Sequence, residues 1–238
     1  MFISADNEQA AVATSVSLRS YLLVTVKPSD TPSVTLNFPD IKLNHTWALS
    51  SLPHPAKISP VAPTSLDIDL MKSIEPLLEP FSKNEFQHTA VLAFLYLYLS
   101  ISPPLHNAHV TFLLRSAIPI GSGLGSSASI SVCLATALLV WGDHIERPGK
   151  AGVGAMKTIN EWAYLGEKCI HGNPSGVDNT VATFGGGVVY RKARAERRNS
   201  NGTFTPSKPA EKLIIKYYPP PQKKKKKVYM DVKLTTFL

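Results

Sequence analysis

The chain has 238 residues, 44% of them apolar and 8% aromatic, which allows a sizeable buried core in one or two domains and excludes a disordered chain. Its two cysteines, Cys133 and Cys169, exclude a disulfide framework and read as core thiols of a reducing compartment, so a cytoplasmic location is expected. The net charge of +8 sits at one end: residues 191–238 hold 14 Lys/Arg against 3 Asp/Glu, net +11, while residues 1–190 hold 11 against 14, net −3, so the body of the chain is not built to attract nucleic acid.

The first ten residues, MFISADNEQA, carry Asp6 and Glu8 and no basic stretch, so no secretory or transit leader is expected. Alternation and β-branched residues predict a strand over 17–26, ended by Pro28 and Pro32. Residues 33–49 read as two short strands around a Pro39–Asp40 turn, and 52–63 as a proline-rich connection. Helical spacing follows over 66–78 and, strongly, over 85–101. The apolar run at 90–101, AVLAFLYLYLSI, falls short of the about 20 residues a membrane span needs. It reads as a deeply packed helix, and no membrane partner is expected.

Pro103 and Pro104 stop that helix. A strand over 109–117, a glycine-rich turn, a helix over 126–141 and another over 154–170 come next. The loop HGNPSGVDN leads to residues 180–191, a short apolar run with Gly185, Gly186 and Gly187 and then a strand, VVYR. From 192 on the sequence is polar and weakly patterned. KLIIKYY reads as one strand, and VYMDVKLTTFL has no evident placement. The run Lys223–Lys227 has no interleaved aromatic residues and reads as a solvated tail, with no nucleic-acid partner expected.

The turn at 119–129, PIGSGLGSSAS, joins a predicted strand to a predicted helix. Glycines at 121, 123 and 125 permit positive φ and close approach of a ligand to the backbone. The helix that follows offers unpaired N–H groups and the positive end of its dipole, which suits phosphate. Ser126 and Ser127 read as helix caps, and a serine hydroxyl there also reaches a phosphate oxygen or its magnesium ion. No Gly-Lys-Ser/Thr follows, and no G-x-G-x-x-G spacing fits. The plain alternative is a strand–turn–helix connection with a serine cap.

Residues 167–187, EKCIHGNPSGVDNTVATFGGG, place a glutamate at a helix end and an aspartate beyond a Gly/Pro/Ser loop. Phosphoryl transfer uses one carboxylate at Mg²⁺ and commonly a second to take the proton of the attacking hydroxyl. Glu167 and Asp178 can divide that work if the loop folds back. The alternative is a solvated Glu167 and an Asp178 that caps a helix. With no second His or Cys at ligand spacing, His171 reads as a hydrogen-bonding loop residue rather than a metal ligand.

Together the two segments are far more specific. PIGSGLGSSASISVCLATALL resembles the second motif of the GHMP kinase superfamily. EWAYLGEKCIHGNPSGVDNTVATFGG is similar to the mevalonate kinase family within it, as is SVSLRSYLLV, and NFPDIKLNHTW resembles the fungal members. The resemblance covers roughly residues 10–191. It implies an α+β fold, with an N-terminal domain like domain 2 of ribosomal protein S5 and a ferredoxin-like C-terminal domain that is largely missing. It implies that Pro119, Gly121, Ser122, Gly123, Leu124, Gly125, Ser126 and Ser127 wrap the phosphates of ATP. Ser127 and Glu167 would coordinate Mg²⁺, and Asp178 would be the catalytic carboxylate. The implied reaction phosphorylates the C5 hydroxyl of mevalonate for isoprenoid and sterol synthesis, in a protein that could form a homodimer.

The sequence also departs from that pattern. The family opens with a motif like P-G-K-x-x-x-x-G-E-H, but no lysine precedes Lys27. Its third glycine-rich motif is expected in a C-terminal half, where this chain has PPPQKKKKKVYMDVKLTTFL. Both ends read as foreign: a truncated gene, an alternative product or a misread exon boundary. Residues 1–191 are expected to form the ATP-binding domain without its first motif. Residues 192–238 are expected to form a basic low-complexity tail or the start of a truncated second domain. Loss of one charge-stabilising donor typically lowers a rate by about 10²–10³. The competing expectations are a catalytically inactive nucleotide-binding fragment and another GHMP kinase, such as phosphomevalonate kinase.

Overall fold

The structure, a computed structural model, describes residues 2–5, 8–53, 59–103, 107–146, 152–192, 214–218 and 232–236. In chain order, β1 (Phe2–Ala5) and β2 (Glu8–Thr14) lead to β3 (Ser20–Pro28), β4 (Ser33–Phe38) and β5 (Leu43–Ala48). Two helices follow, α1 (Ile68–Ile74) and α2 (Glu85–Ile101), then β6 (Ala108–Ser116) and α3 (Ser126–Trp141). The described chain ends with α4 (Val153–His171), α5 (Val177–Phe184), β7 (Gly187–Lys192), β8 (Ile214–Tyr218) and β9 (Val232–Thr236).

The strands form two sheets. The larger has order β5-β4-β6-β3-β9, with β4/β6 and β3/β9 parallel and the other pairs antiparallel. The smaller, β1-β2-β7-β8, is antiparallel throughout. Leu22, Val24, Val34, Leu36, Val110 and Phe112 of the larger sheet meet α2, α3 and α4 in one continuous core. The opposite face is polar. Register sets Thr46, Thr35, Thr111, Thr25 and Thr235 in one row across all five strands, and the Thr35 and Thr46 hydroxyls lie 2.6 Å apart. The alternation of the strands therefore turns one face to the helices and leaves the other mostly polar, although Thr35 there is itself buried.

α2 is buried from Val91 to Ile101, as its apolar run implies, with Phe94 in an edge-on contact with Phe112 at 5.1 Å between ring centroids. Its Asn84 N-cap accepts from the Gln87 N–H, and the Gln87 side chain donates to the carbonyls of Ile41 and Lys42, fixing the start of α2 to the β4–β5 turn. α3 is apolar around its circumference because it lies against β3, α2, α4 and α5. Gly166 makes the α3–α4 contact close, since a Cβ there would fall 2.8 Å from the Ser131 hydroxyl. Cys133 and Cys169 are free and buried, and burial pushes both thiols up to about 12.

Several expectations need correction. Residues 177–184 are a helix, α5, spanning the end of the expected loop HGNPSGVDN and the start of the short apolar run from 180, with Asp178 inside it rather than at its cap. The eight residues are short and glycine-flanked, and α5 exists by packing on α3 and α4. Strands β1 and β2 precede the first predicted strand. The expected strand in KLIIKYY is β8, and the unplaced tail contributes β9. Neither Ser126 nor Ser127 caps α3: Gly125 holds the N-cap position in the left-handed conformation with no side-chain cap bond. Lys223–Lys227 lies outside the described residues. Among the described residues no helix is long and apolar enough to cross a membrane.

Candidate active site

The turn between β6 and α3 has three left-handed glycines in alternation, Gly121, Gly123 and Gly125, with φ of 74°, 72° and 73°. An L side chain is strained there, so the glycines shape the backbone itself. Ser122 Oγ donates to the Pro119 carbonyl at 2.7 Å and closes the turn. The helical ladder starts with the Ser129 N–H donating to the Gly125 carbonyl at 3.0 Å, which leaves the N–H groups of residues 126–128 without helical partners. These donors and the helix dipole make an anion-binding surface. Leu124 stands exposed on the turn, and Gly121 lies beneath the exposed ring of Phe86, whose Cζ would be 3.3 Å from a Cβ at 121.

The facing wall is α4, the loop after it and α5. Asn160, Tyr164, Glu167 and His171 recur at helical spacing on α4 and form one stripe. Glycine at 176, with φ of 77°, is the N-cap of α5 and aims its first turn back toward α3. Asp178 therefore lies in that first turn and is not its cap. A Cβ placed on Gly125 would be 3.7 Å from Asp178 Cβ, so the turn and the aspartate lie within one methyl group of contact. The two segments singled out by sequence thus lie side by side, with Glu167, His171, Gly176, Asp178 and Asn179 lining a cavity of about 270 Å³.

The two carboxylates have different surroundings. Asp178 is exposed and reachable by a ligand. Glu167 is 3% exposed, and its Oε1 has no hydrogen-bond partner among the described residues. Burial pushes the Glu167 carboxyl up to about 7; the Ser127 hydroxyl opposes this and the Asp178 charge adds to it. Ser127 Oγ also lies 3.0 Å from His171 Nε2, so His171 acts as a hydrogen-bonding residue of the site.

A divalent cation fits this arrangement. It would supply the missing partner of Glu167 Oε1, stabilise the charged form of that acid and accept the Ser127 hydroxyl as a second oxygen ligand. Mg²⁺ commonly takes only one or two protein oxygens and completes its shell with phosphate and water. Among the described residues no group of three or more His, Cys, Asp and Glu side chains could hold a metal by itself.

Residues 88–187 match the family described as GHMP kinases N terminal domain. The domain with its glycine turn and facing carboxylates therefore belongs to the GHMP kinases. Within that class the sequence is similar to the mevalonate kinases. It is 46% identical over 202 residues to mevalonate kinase ERG12 of Gibberella zeae, covering 77% of this chain and 40% of the relative. It is 37% identical over 222 residues to the Candida albicans mevalonate kinase, covering 86% and 51%. The chain thus spans about half the length, or less, of these curated relatives. A crystal structure of L. major mevalonate kinase in complex with R-mevalonate superimposes with a TM-score of 0.48 and 19% identity, over 88% of this chain and 46% of that one. The Candida alignment exceeds the 10–191 window in which the motifs make the resemblance legible.

Three neighbours of the site escaped the sequence reading: Phe86 over the glycine turn, Tyr164 against the loop, and Asn160 behind α5. Tyr164 Oη donates to the Pro174 carbonyl at 3.3 Å, and its ring lies 3.6 Å from where a Cβ on Gly176 would sit. The signal for Asn160 and Tyr164 was present as positions seven and three residues before Glu167, on its own helix face. Nothing local marked Phe86.

Proposed function

We propose that this chain provides the phosphate-binding turn and the proton acceptor of an ATP-dependent mevalonate kinase. The reaction moves the γ-phosphoryl group of ATP to the C5 hydroxyl of mevalonate, giving 5-phosphomevalonate and ADP, on the route to isoprenoids and sterols in the cytoplasm. The observation that supports this most strongly is the closeness of the Gly125 turn to Asp178, within the reach of one added methyl group, which sets backbone donors beside a carboxylate.

In this reading the N–H groups of the turn 121–127 hold the phosphate oxygens and stabilise the charge that builds on them. Glu167 and Ser127 would hold Mg²⁺, which when bound neutralises phosphate charge. Exposed Asp178 accepts the proton of the C5 hydroxyl as that oxygen bonds to the γ-phosphorus. The bond from that phosphorus to the bridging oxygen breaks, and its electrons leave with ADP. The cavity beside Asp178 and Asn179 receives the hydroxyl-bearing end of the substrate. Glu167 is assigned the cation rather than the proton, because its buried Oε1 lacks a partner among the described residues, whereas Asp178 is the exposed carboxylate that a substrate hydroxyl can reach.

The test is ATP binding by calorimetry and ADP release with mevalonate, using the purified 238-residue chain. Binding with mevalonate-dependent ADP release is expected. Binding without transfer would assign the chain to nucleotide recognition alone. Absence of binding would overturn the reading.

A further inference from the structure

We propose that Asn160 is a positioning residue for Asp178, acting through the hydrogen bonds that lock α5 onto α4. This rests on the catalytic reading of Asp178, but the lock has consequences of its own.

Asn179, the residue after Asp178, is 2% exposed. Its Nδ2 donates to Asn160 Oδ1 at 2.8 Å and to the Asn160 carbonyl at 3.3 Å. A carbonyl only accepts, so the nitrogen of the Asn179 amide must face Asn160. One turn later Thr183, 4% exposed, donates its hydroxyl to the same Asn160 Oδ1 at 3.4 Å. Asn160 therefore holds both turns of α5 from a single point. Tyr164, four residues on along α4, holds the approach to α5 at Pro174. α5 has only eight residues and no side-chain cap, so its own ladder gives it little stability.

The consequence for Asp178 is geometric. It lies one residue from Asn179, in the turn of α5 that faces Gly125. If α5 rotates or frays, that carboxylate leaves the glycine turn. Asn160 itself does not line the cavity. Its role toward α5 uses acceptor oxygens only, which gives a sharp chemical criterion. Asp keeps those acceptors, whereas Leu fills similar space, removes the Oδ1 partner of Thr183 and leaves Asn179 Nδ2 only its longer bond to the residue 160 carbonyl.

The experiment compares the full chain with its N160L and N160D variants. It reads amide hydrogen exchange over residues 177–184 and the single-turnover rate of phosphoryl transfer from Mg·ATP to mevalonate. N160L is expected to speed exchange in this segment by about tenfold, as for loss of one to two hydrogen bonds, and to lower the transfer rate with little change in KM for ATP. N160D is expected to restore exchange to the wild-type level. Wild-type exchange in N160L would overturn the proposal. So would N160D as defective as N160L, since packing and not the acceptors would then matter. If N160L fails to fold, the isosteric T183V replaces it and is expected to show a smaller effect of the same sign. A wild-type chain that transfers no phosphoryl group would count against the proposed function alone, and the exchange comparison would still decide whether the lock exists.

Discussion

The two walls of the site reach their chemistry by opposite means. The turn before α3 has no ionisable side chain between Gly121 and Ser127, and its polarity comes from backbone N–H groups exposed by left-handed glycines. The wall formed by α4 and α5 keeps regular helical backbone and carries its chemistry on Glu167, His171 and Asp178. A wall built from backbone is indifferent to pH and intolerant of a new Cβ. A wall built from carboxylates tolerates backbone change poorly only at its hinges and responds directly to charge. Side-chain replacement and pH should therefore act mainly on the second wall, and glycine replacement on the first.

The largest expected effect is D178N. It keeps the shape and removes the proton acceptor, so turnover should fall by about 10²–10⁴, while calorimetry should find Mg·ATP affinity largely retained. Loss of ATP binding instead would mean that the aspartate belongs to the phosphate wall. The second effect is a pH dependence of stability. Glu167 titrates at about 7 in the fold against its ordinary 4.5. Between those values the folded chain keeps a proton that the unfolded chain has released. Ligand-free stability is thus full below about 4.5 and declines as pH rises through about 7, by on the order of 3 kcal/mol in total. Melting curves from pH 5 to 8 should show this fall in the wild type and not in E167Q. Binding of Mg²⁺ at pH 6 should release a proton, which calorimetry in buffers of different ionisation heat would read.

Legibility in the sequence follows the same division. α2 and α3 could be read to the residue, because Asn84 and the glycine turn mark their starts and their apolar runs exceed three turns. The glycine turn was legible because positive φ leaves a direct trace in residue type. Glu167 was picked out as a candidate carboxylate, but its burial was not legible: a single glutamate on an amphipathic helix is usually solvated, and the burial depends on α3 approaching at Gly166, a tertiary fact. α5 was missed because VDNTVATF has four β-branched residues before its final Phe, and its stability comes from α4 and α3. The serines were misread as caps because Gly125, already left-handed, occupies the cap position itself.

A smaller effect tests the backbone wall. G123A and G125A both place a side chain at left-handed φ, which costs about 1–2 kcal/mol each. The Cβ of G123A would meet nothing within 4 Å, and that of G125A would only reach ordinary contact with Asp178. Equal losses of melting temperature are therefore expected. A markedly larger loss at 125 would show that the gap to Asp178 is tighter than van der Waals contact, so that the two walls press on each other.

The smallest stability effect belongs to S127A, and it tests whether the walls are independent. Ser127 is the side chain that bridges them: it stands in the first turn of α3 and faces His171 and Glu167. Its bond to His171 is exposed, so its loss should cost at most about 1 kcal/mol at pH 5. Its hydroxyl also favours the charged form of Glu167. Removing it raises that carboxyl further, so the fall in stability should begin at the same pH but extend to higher pH than in the wild type. A melting midpoint that declines over the same pH range in S127A and wild type would show that Glu167 does not sense the α3 side. In that case the cation would be held by the carboxylate wall alone, and Ser127 would serve only to fix the His171 ring.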